Sequence, residues 1–274
     1  MRFRTRVVVL FSVAIGLVIA SALAPRIAQD PAYHDFADQR TVFGIPHFFD
    51  VTSNVPFLFI GVWGLFTAVM GSKQMFDNWA ERWPYVVLFL GVTLTGIGSS
   101  YYHWNPDNHT LVWDRLPMTV GFMGLLSATI AERINLRMGI RWLSPFVLLG
   151  IASVVYWNRT EVAGAGDLRP YVLIQFGSLL LLVLILTLFA PKYTGGKFIA
   201  FAIGFYALAK LLELTDVPIY RLLHIVSGHT LKHLAAAAAI VWILRMLKTR
   251  RLATSISLHH SVPPEVAQVR APEV

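Results

Sequence analysis

The sequence predicts an all-α fold: a polytopic membrane helix bundle with a seven-helix core plus one extra N-terminal transmembrane helix. Hydrophobic residues make up 56% of the 274 residues, charged residues make up only 14%, and the mean hydropathy is +0.60. A soluble globular chain carries about 25% charged residues. The apolar residues also fall in runs of about 17–22, the length that a helix needs to cross ~30 Å of hydrocarbon. These observations argue against a soluble enzyme, a coiled coil and a disordered chain.

The first apolar run follows Arg2, Arg4 and Arg6, and we predict that it is an uncleaved membrane anchor. It is longer than the apolar core of a typical signal peptide. Cleavage after Ala24 is the alternative, because residues 21–24 resemble a weak cleavage site. The eight predicted spans are residues 7–24, 53–70, 83–102, 116–131, 142–157, 171–190, 198–215 and 228–247.

The distribution of lysine and arginine predicts the orientation. With the N-terminus in the cytoplasm, most of these residues fall in cytoplasmic segments, as is typical of membrane proteins. Eight spans then place the C-terminus in the cytoplasm as well. This asymmetry explains the pI of about 9.9 without a nucleic-acid partner. The predicted parts are an anchor helix at 1–30, a seven-helix core at 31–251 and a disordered, proline-containing tail at 252–274.

Ionisable residues inside membrane spans are rare and are functional candidates. Ser99 and His103 lie one helical turn apart at the outer end of the third span. Asp114 follows across a short hairpin, and we expect it to return to His103. Pro117 suits the first turn of the fourth helix, where its missing N–H is not needed. An interfacial His103 that faces water, and a loop ion pair of Asp114 with Arg115, are the structural alternatives.

A second polar segment opens the last span. His229 and His233 are four residues apart, the spacing by which one helix offers two imidazoles to one metal ion, and Ser227 is a candidate N-cap. The alternative is that these histidines bond backbone carbonyls of neighbouring helices. The predicted topology puts His103, Asp114 and this pair at one depth on the outer side. Because the chain has no cysteine, a transition metal must use histidine, aspartate or glutamate. Three imidazoles around Zn²⁺ leave a fourth position for water, the arrangement of a hydrolytic site.

The two polar segments resemble the alkaline ceramidase family, within a wider group of seven-helix membrane hydrolases that includes the progestin and adipoQ receptors. The resemblance covers residues 33–251. A Thr-x-Ser-Asn pattern of the family looks like residues 51–54. The remaining matches are Gly98-Ser99 followed by His103, then Asp114 before Leu116-Pro117-Met118, and the His229/His233 pair.

This resemblance implies a zinc-dependent amidase that cleaves the N-acyl bond of ceramide-like membrane lipids through a metal-activated water. It implies His103, His229 and His233 as metal ligands, with Ser99 and Asp114 as catalytic residues that steady the water. An alternative alignment makes His224 a ligand and puts Tyr220 at the other histidine position. We expect the intact pair to bind the metal, because a tyrosine replaces that ligand poorly.

The family also carries an acidic Ca²⁺ site before the first core helix. Asp35, Asp38 and Asp50 are present here, but His47 stands where an acid is expected, so Ca²⁺ is the weaker expectation. Lys210 and Glu213 are spaced for a structural ion pair, with a role for Glu213 in orienting a ligand histidine as the alternative.

The sequence also allows two rival functions. One is a zinc-containing receptor or sensor of lipid ligands with little turnover. The other is a proton-coupled carrier, which predicts polar groups in broken helices at mid-membrane. The gathering of polar groups near one interface favours the hydrolase over the carrier.

Overall fold

A computed structural model describes residues 1–253, and the regular structure in this range is helical, without a β-strand. Short 3₁₀ turns lie at Pro31–His34 and Trp79–Glu81, and a π-helical turn lies at Leu173–Gly177. The predicted tail lies outside the described residues from 254 onward. The α-helices are α1 (Phe3–Leu23), α2 (Phe48–Thr52), α3 (Val55–Met70), α4 (Arg82–Trp104), α5 (Asn108–Arg133), α6 (Leu136–Val162), α7 (Arg169–Val172), α8 (Ser178–Leu188), α9 (Gly196–Leu214), α10 (Asp216–Leu223) and α11 (Gly228–Thr249).

The all-α prediction is confirmed for the described residues, and each predicted span overlaps a long helical segment. Six of these segments are long and apolar enough to cross a membrane, as in a multi-pass membrane protein. The helices α9 and α10 add a seventh if they form one span, which bends by 77° between them. The number of crossings and their orientation stay predictions.

Helix α5 lies outside this apolar set because it is the buried centre of the bundle. It packs along α4 and α6, and its polar residues Asp114, Arg115 and Ser127 are buried. Polar residues within membrane spans almost always face the interior of the bundle rather than lipid. Polar groups can therefore concentrate on α5, where they reach the interior of the bundle.

The start of α5 differs from the sequence prediction. Asp107 caps the helix by accepting a 2.7 Å hydrogen bond from the backbone N–H of Thr110, whose side chain completes a capping box. The helix therefore begins at Asn108, and Pro117 lies inside it rather than in its first turn. The placement of Pro117 in the first turn was wrong because this capping signal, further upstream, was missed.

Ion pairs that each have one buried partner join the helices at the end of the bundle opposite the three histidines. The guanidinium group of Arg250, just after α11, donates to Glu132 on α5, to the hydroxyl of Tyr85 on α4 and to the carbonyl oxygen of Met75. Lys192 pairs with Glu81 in the same region. These contacts hold the C-terminal end of α11 against α4 and α5.

The N-terminal helix α1 is joined to the core by the segment that precedes α7. Arg169 donates to the carbonyl oxygens of Ala22 and Ala24 at 3.1 and 2.6 Å, and its guanidinium group also pairs with Asp167 at 2.7 Å. Leu168 N–H donates to the carbonyl oxygen of Ile27 at 2.8 Å. The C-terminal end of α1 is therefore held by backbone and side-chain contacts.

This connection predicts a pH-dependent stability. The hydrogen bond from Arg169 lowers the pKa of Asp167 to about 2. Because folding lowers this pKa, the pair stabilises the fold above the ordinary aspartate pKa of about 4 and loses that contribution as the pH falls towards 2. We expect Asp167→Asn to lower the Tm at neutral pH and to weaken the fall of Tm across this acidic window. Thermal unfolding in detergent micelles measures both effects, and identical pH profiles for the two proteins would contradict the assignment.

Candidate metal centre

Three histidines from distant parts of the chain converge in the interior. His103 lies in the last turn of α4, and His229 and His233 lie in the first two turns of α11. The Nε2 atoms of His103 and His229 are 3.3 Å apart, and one nitrogen from each of the three rings lies within 4.8 Å of the others. All three side chains are buried. The predicted pairing of the two segments is therefore confirmed, and this group can hold a metal ion.

The distance between the rings fits a small tetrahedral cation. Two nitrogens that each lie ~2.0–2.1 Å from a tetrahedral Zn²⁺ are separated by about 3.3–3.4 Å. The value of 3.3 Å between His103 and His229 agrees with this separation. The donor set also fits, since neutral imidazoles suit zinc and related transition metals.

Hydrogen bonds fix the N-terminus of helix α11 and therefore the position of its two histidines. The side chain of Ser227 accepts a 3.0 Å hydrogen bond from the N–H of Thr230, which confirms the predicted N-cap. The Asp216 carboxylate accepts from the backbone N–H of His229 at 2.7 Å and from that of Ala37 at 2.9 Å. A carboxylate at a helix N-terminus is stabilised by the free N–H groups and the helix dipole. Asp216 thereby links α11 to the loop before α2.

The ring of His233 is oriented by the turn between α2 and α3. Its Nδ1 lies 2.8 Å from the hydroxyl oxygen of Ser53, and the Ser53 hydroxyl also contacts the carbonyl oxygen of Asp50 at 3.1 Å. The amide nitrogen of Asn54 donates to the same carbonyl at 2.8 Å. This arrangement leaves Nε2 of His233 for a metal, as is usual for a ligand whose other ring nitrogen has a partner. The family-like pattern at residues 51–54 marked this turn, although it did not show the bond to His233.

Asp50 supports the same helix terminus through its side chain. One carboxylate oxygen accepts from the hydroxyl of Thr230 at 2.7 Å and lies 3.3 Å from that of Ser227. The other oxygen is buried without a hydrogen-bond partner among the described residues. Sequence reasoning considered Asp50 only for calcium and missed this role. The signal available in the sequence for this role was the position of Asp50 directly before the pattern at residues 51–54.

The other acidic residues considered for Ca²⁺ have different surroundings. Asp38 is buried and forms a bidentate ion pair with Arg40, at 2.8 and 2.6 Å. Asp35 is exposed. Within residues 1–253, they form no carboxylate cluster with Asp50 comparable to the three histidines.

The aromatic ring of Phe36 covers the histidines from the loop before α2. Its centroid lies 4.7 Å from that of His103 and 4.4 Å from that of His229. Tyr102 also contacts His103, with ring centroids 4.7 Å apart, and it lies against Phe36. These rings shield the imidazoles from water, which strengthens electrostatic interactions at the centre. A single phenylalanine in a loop carries no sequence signal for this role.

The predicted catalytic residues share one cavity with His233, whereas His103 and His229 do not line it. Ser99 and Asp114 line a cavity of about 350 Å³, together with His233. The Ser99 hydroxyl lies beside the Asp114 carboxyl group. Both residues are at least nine-tenths buried. The cavity therefore brings a carboxyl group, a hydroxyl group and an imidazole to a single volume that can admit a substrate.

Gly98 allows α4 and α5 to approach closely at this point. A Cβ atom at Gly98 would collide with the carbonyl oxygen of Trp113. Pro117 lacks the N–H that would otherwise bond this carbonyl within α5. The free carbonyl of Trp113 thus faces Gly98. Gly98 directly precedes Ser99 on α4, and Trp113 directly precedes Asp114 on α5.

We expect Gly98→Ala to push these helices apart and to separate Ser99 from Asp114. Overpacking of this kind costs about 1–3 kcal/mol of folding free energy. Thermal unfolding would report the change. The control is Gly204→Ala on α9, where a Cβ atom meets nothing within 4 Å. Equal behaviour of the two variants would show that the close approach is unimportant.

Two further expectations can be compared with the geometry. His224 is exposed at the C-terminal end of α10 with φ of 55°, and it lies outside the histidine group. Glu213 pairs with Lys210 at 2.6 Å and with Lys232 at 2.7 Å. No hydrogen bond joins Glu213 to a histidine of the group among the described residues, which favours the ion-pair interpretation.

Comparison with protein-family models and with curated proteins finds no match.

Proposed function

We propose that this protein is a zinc-dependent membrane hydrolase that cleaves the N-acyl amide bond of ceramide-like lipids. The observation that carries the proposal is the convergence of three buried imidazoles, one of which, His233, lines a cavity together with Ser99 and Asp114. The motif resemblance to alkaline ceramidases supports this reaction class. The choice of an amide as the bond that is cleaved comes from this resemblance, because the geometry alone fits the hydrolysis of several kinds of acyl compound.

The metal would be held by His103, His229 and His233. Ser53 orients His233, and Phe36 excludes water from one side of the group. When bound, Zn²⁺ supplies Lewis acidity and lowers the pKa of a water molecule to about 7. The remaining chemistry falls to side chains of the cavity.

Asp114 is the residue that moves protons in this proposal. One of its carboxylate oxygens accepts a proton from the attacking water, whose oxygen forms a bond to the amide carbonyl carbon. The carboxyl group then gives this proton to the amide nitrogen as the carbon–nitrogen bond breaks, so that a fatty acid and an amine are released. The Ser99 hydroxyl stabilises the negative charge on the carbonyl oxygen by donating a hydrogen bond.

The shape of the cavity suits a long acyl chain. Most of its surface is formed by apolar side chains of α3, α4, α5 and α11, including Phe57, Leu88, Val92 and Ile240. Such a lining binds hydrocarbon, while the few polar groups at one end fix the reacting bond. This explains why a hydrolase would be placed within a lipid bilayer. In the predicted orientation both termini are cytoplasmic and the reacting end lies towards the outer side.

The proposal is tested by the hydrolysis of a fluorescent ceramide by purified protein in detergent. We expect release of the labelled fatty acid, loss of this activity with a strong chelator, and recovery when Zn²⁺ is restored. A protein that binds zinc and lipid but releases no fatty acid would favour the receptor or sensor instead.

A further inference from the structure

The cavity beside the histidines contains more positive than negative side chains. Within its lining, three cationic groups face two carboxylates, which leaves an excess of one positive charge. The carboxylates of Asp50 and Asp216 lie outside this lining and accept hydrogen bonds from the first turn of α11. The charged aspartate, glutamate, lysine and arginine side chains of the lining are Asp114, Arg115, Lys210, Glu213 and Lys232.

The excess charge is concentrated in a lysine–glutamate triad formed by Lys210, Glu213 and Lys232. Each oxygen of the Glu213 carboxylate accepts from one ammonium group, at 2.6 Å from Lys210 and at 2.7 Å from Lys232. One carboxylate thus serves two cations. The lysine side chains are 33% and 15% exposed, so neither is sealed inside the protein.

Both ammonium groups retain hydrogen-bonding capacity. An ammonium group has three N–H donors. Among residues 1–253, Glu213 is the hydrogen-bond acceptor found for each lysine. An unbalanced charge at low dielectric is costly unless an opposite charge and hydrogen-bond acceptors are supplied. A carboxylate from a bound molecule supplies both.

The triad lies close to the reacting groups. Lys232 directly precedes His233 on α11, and both side chains line the same cavity as Asp114. An anion held by the triad would therefore lie in the same cavity as a hydrocarbon chain bound by its apolar part.

We propose that the Lys210–Glu213–Lys232 triad binds the carboxylate of an acyl lipid held in this cavity. The inference rests on the proposed function in one respect: as a substrate, the lipid is an N-acyl compound with an acidic head group, such as an N-acyl amino acid. A free fatty acid presents the same chemical group. The experiment distinguishes these two sources.

The first measurement compares hydrolysis of N-oleoylglycine with that of N-oleoylethanolamine by the zinc-loaded protein. The two amides share an acyl chain, but the head group of N-oleoylglycine ends in a carboxylate and that of N-oleoylethanolamine ends in a hydroxymethyl group. We expect kcat/KM to favour N-oleoylglycine by about tenfold or more, which corresponds to one well-placed charge interaction. Lys210→Gln should remove this preference, whereas Lys210→Arg should retain it.

The matched control is Lys248→Gln, an exposed lysine at the other end of α11. This variant should keep the wild-type preference. Equal kcat/KM values for the two amides in the wild-type protein would overturn the acidic head group. A preference that persists in Lys210→Gln would overturn the triad as its binding site.

The second measurement needs no catalysis. Displacement of a fluorescent acyl probe by oleate and by oleyl alcohol reports whether a carboxylate strengthens binding.

The outcomes distinguish the two sources of the carboxylate. If oleate binds more tightly than oleyl alcohol in a way that depends on Lys210, and the two amides are hydrolysed equally well, the triad binds the carboxylate of a free fatty acid. If neither amide nor the fluorescent ceramide is hydrolysed, the proposed function fails, while the oleate measurement still decides the role of the triad. Equal displacement by oleate and oleyl alcohol, together with unselective hydrolysis, would contradict the proposal.

Discussion

Asp114→Asn is expected to slow amide hydrolysis by about 10²–10⁴-fold, the range typical for loss of a general acid–base group. Asparagine has nearly the shape of aspartate, but it cannot accept a proton from water at neutral pH. The three histidines are unchanged, so metal content should stay at the wild-type level. Steady-state hydrolysis of a fluorescent ceramide and elemental analysis of the same preparation measure the two effects.

The control for this variant is Asp77→Asn. Asp77 is an exposed carboxylate paired with Lys192 at the opposite end of the bundle. It should retain wild-type hydrolysis. Full activity of Asp114→Asn would remove Asp114 from the mechanism, and loss of metal in that variant would assign it to the support of the metal centre instead.

His229→Ala is expected to abolish both metal binding and hydrolysis. It removes one of three nitrogens from the centre and leaves too few protein ligands to hold Zn²⁺ tightly. The fold should survive in part, since α11 keeps its Ser227 cap and its contacts at the far end. Elemental analysis after gel filtration, together with the thermal unfolding curve, separates metal loss from unfolding.

His224→Ala is the matched control, because this histidine is exposed and lies only five positions before His229. It should keep its metal and its activity. Metal retention in His229→Ala, or metal loss in His224→Ala, would favour the alternative ligand set that the sequence also allows.

Periodicity and hydropathy were sufficient to predict most of the fold. Long apolar runs specify helices without reference to their neighbours, and the predicted spans all overlap helical segments. The start of α5 was placed too late because its first turns are polar, with the capping residue Asp107 outside the apolar run. The seventh predicted span ended at residue 215, where the chain bends, but the separate helix α10 beyond this bend was not predicted.

The candidate site was predictable where its residues occupy fixed helical spacings. His229 and His233 share one face of α11, and the hairpin after His103 returns Asp114 to the same region. The supporting groups were not predictable in the same way, because they come from loops whose path depends on tertiary contacts. Phe36, Asp50 and Asp216 belong to this class. The pairing of Lys232 with Glu213 was not predictable either, because it depends on the packing of α9 on α11.

The metal centre is tested most directly by X-ray absorption at the zinc edge, on purified protein of known metal content. We expect about one Zn²⁺ per chain, with nitrogen or oxygen ligands at ~2.0–2.1 Å and the multiple scattering of imidazole rings. The triple variant His103→Ala, His229→Ala and His233→Ala should lack this signal. A wild-type protein without stoichiometric metal, or a triple variant with an unchanged spectrum, would contradict the account.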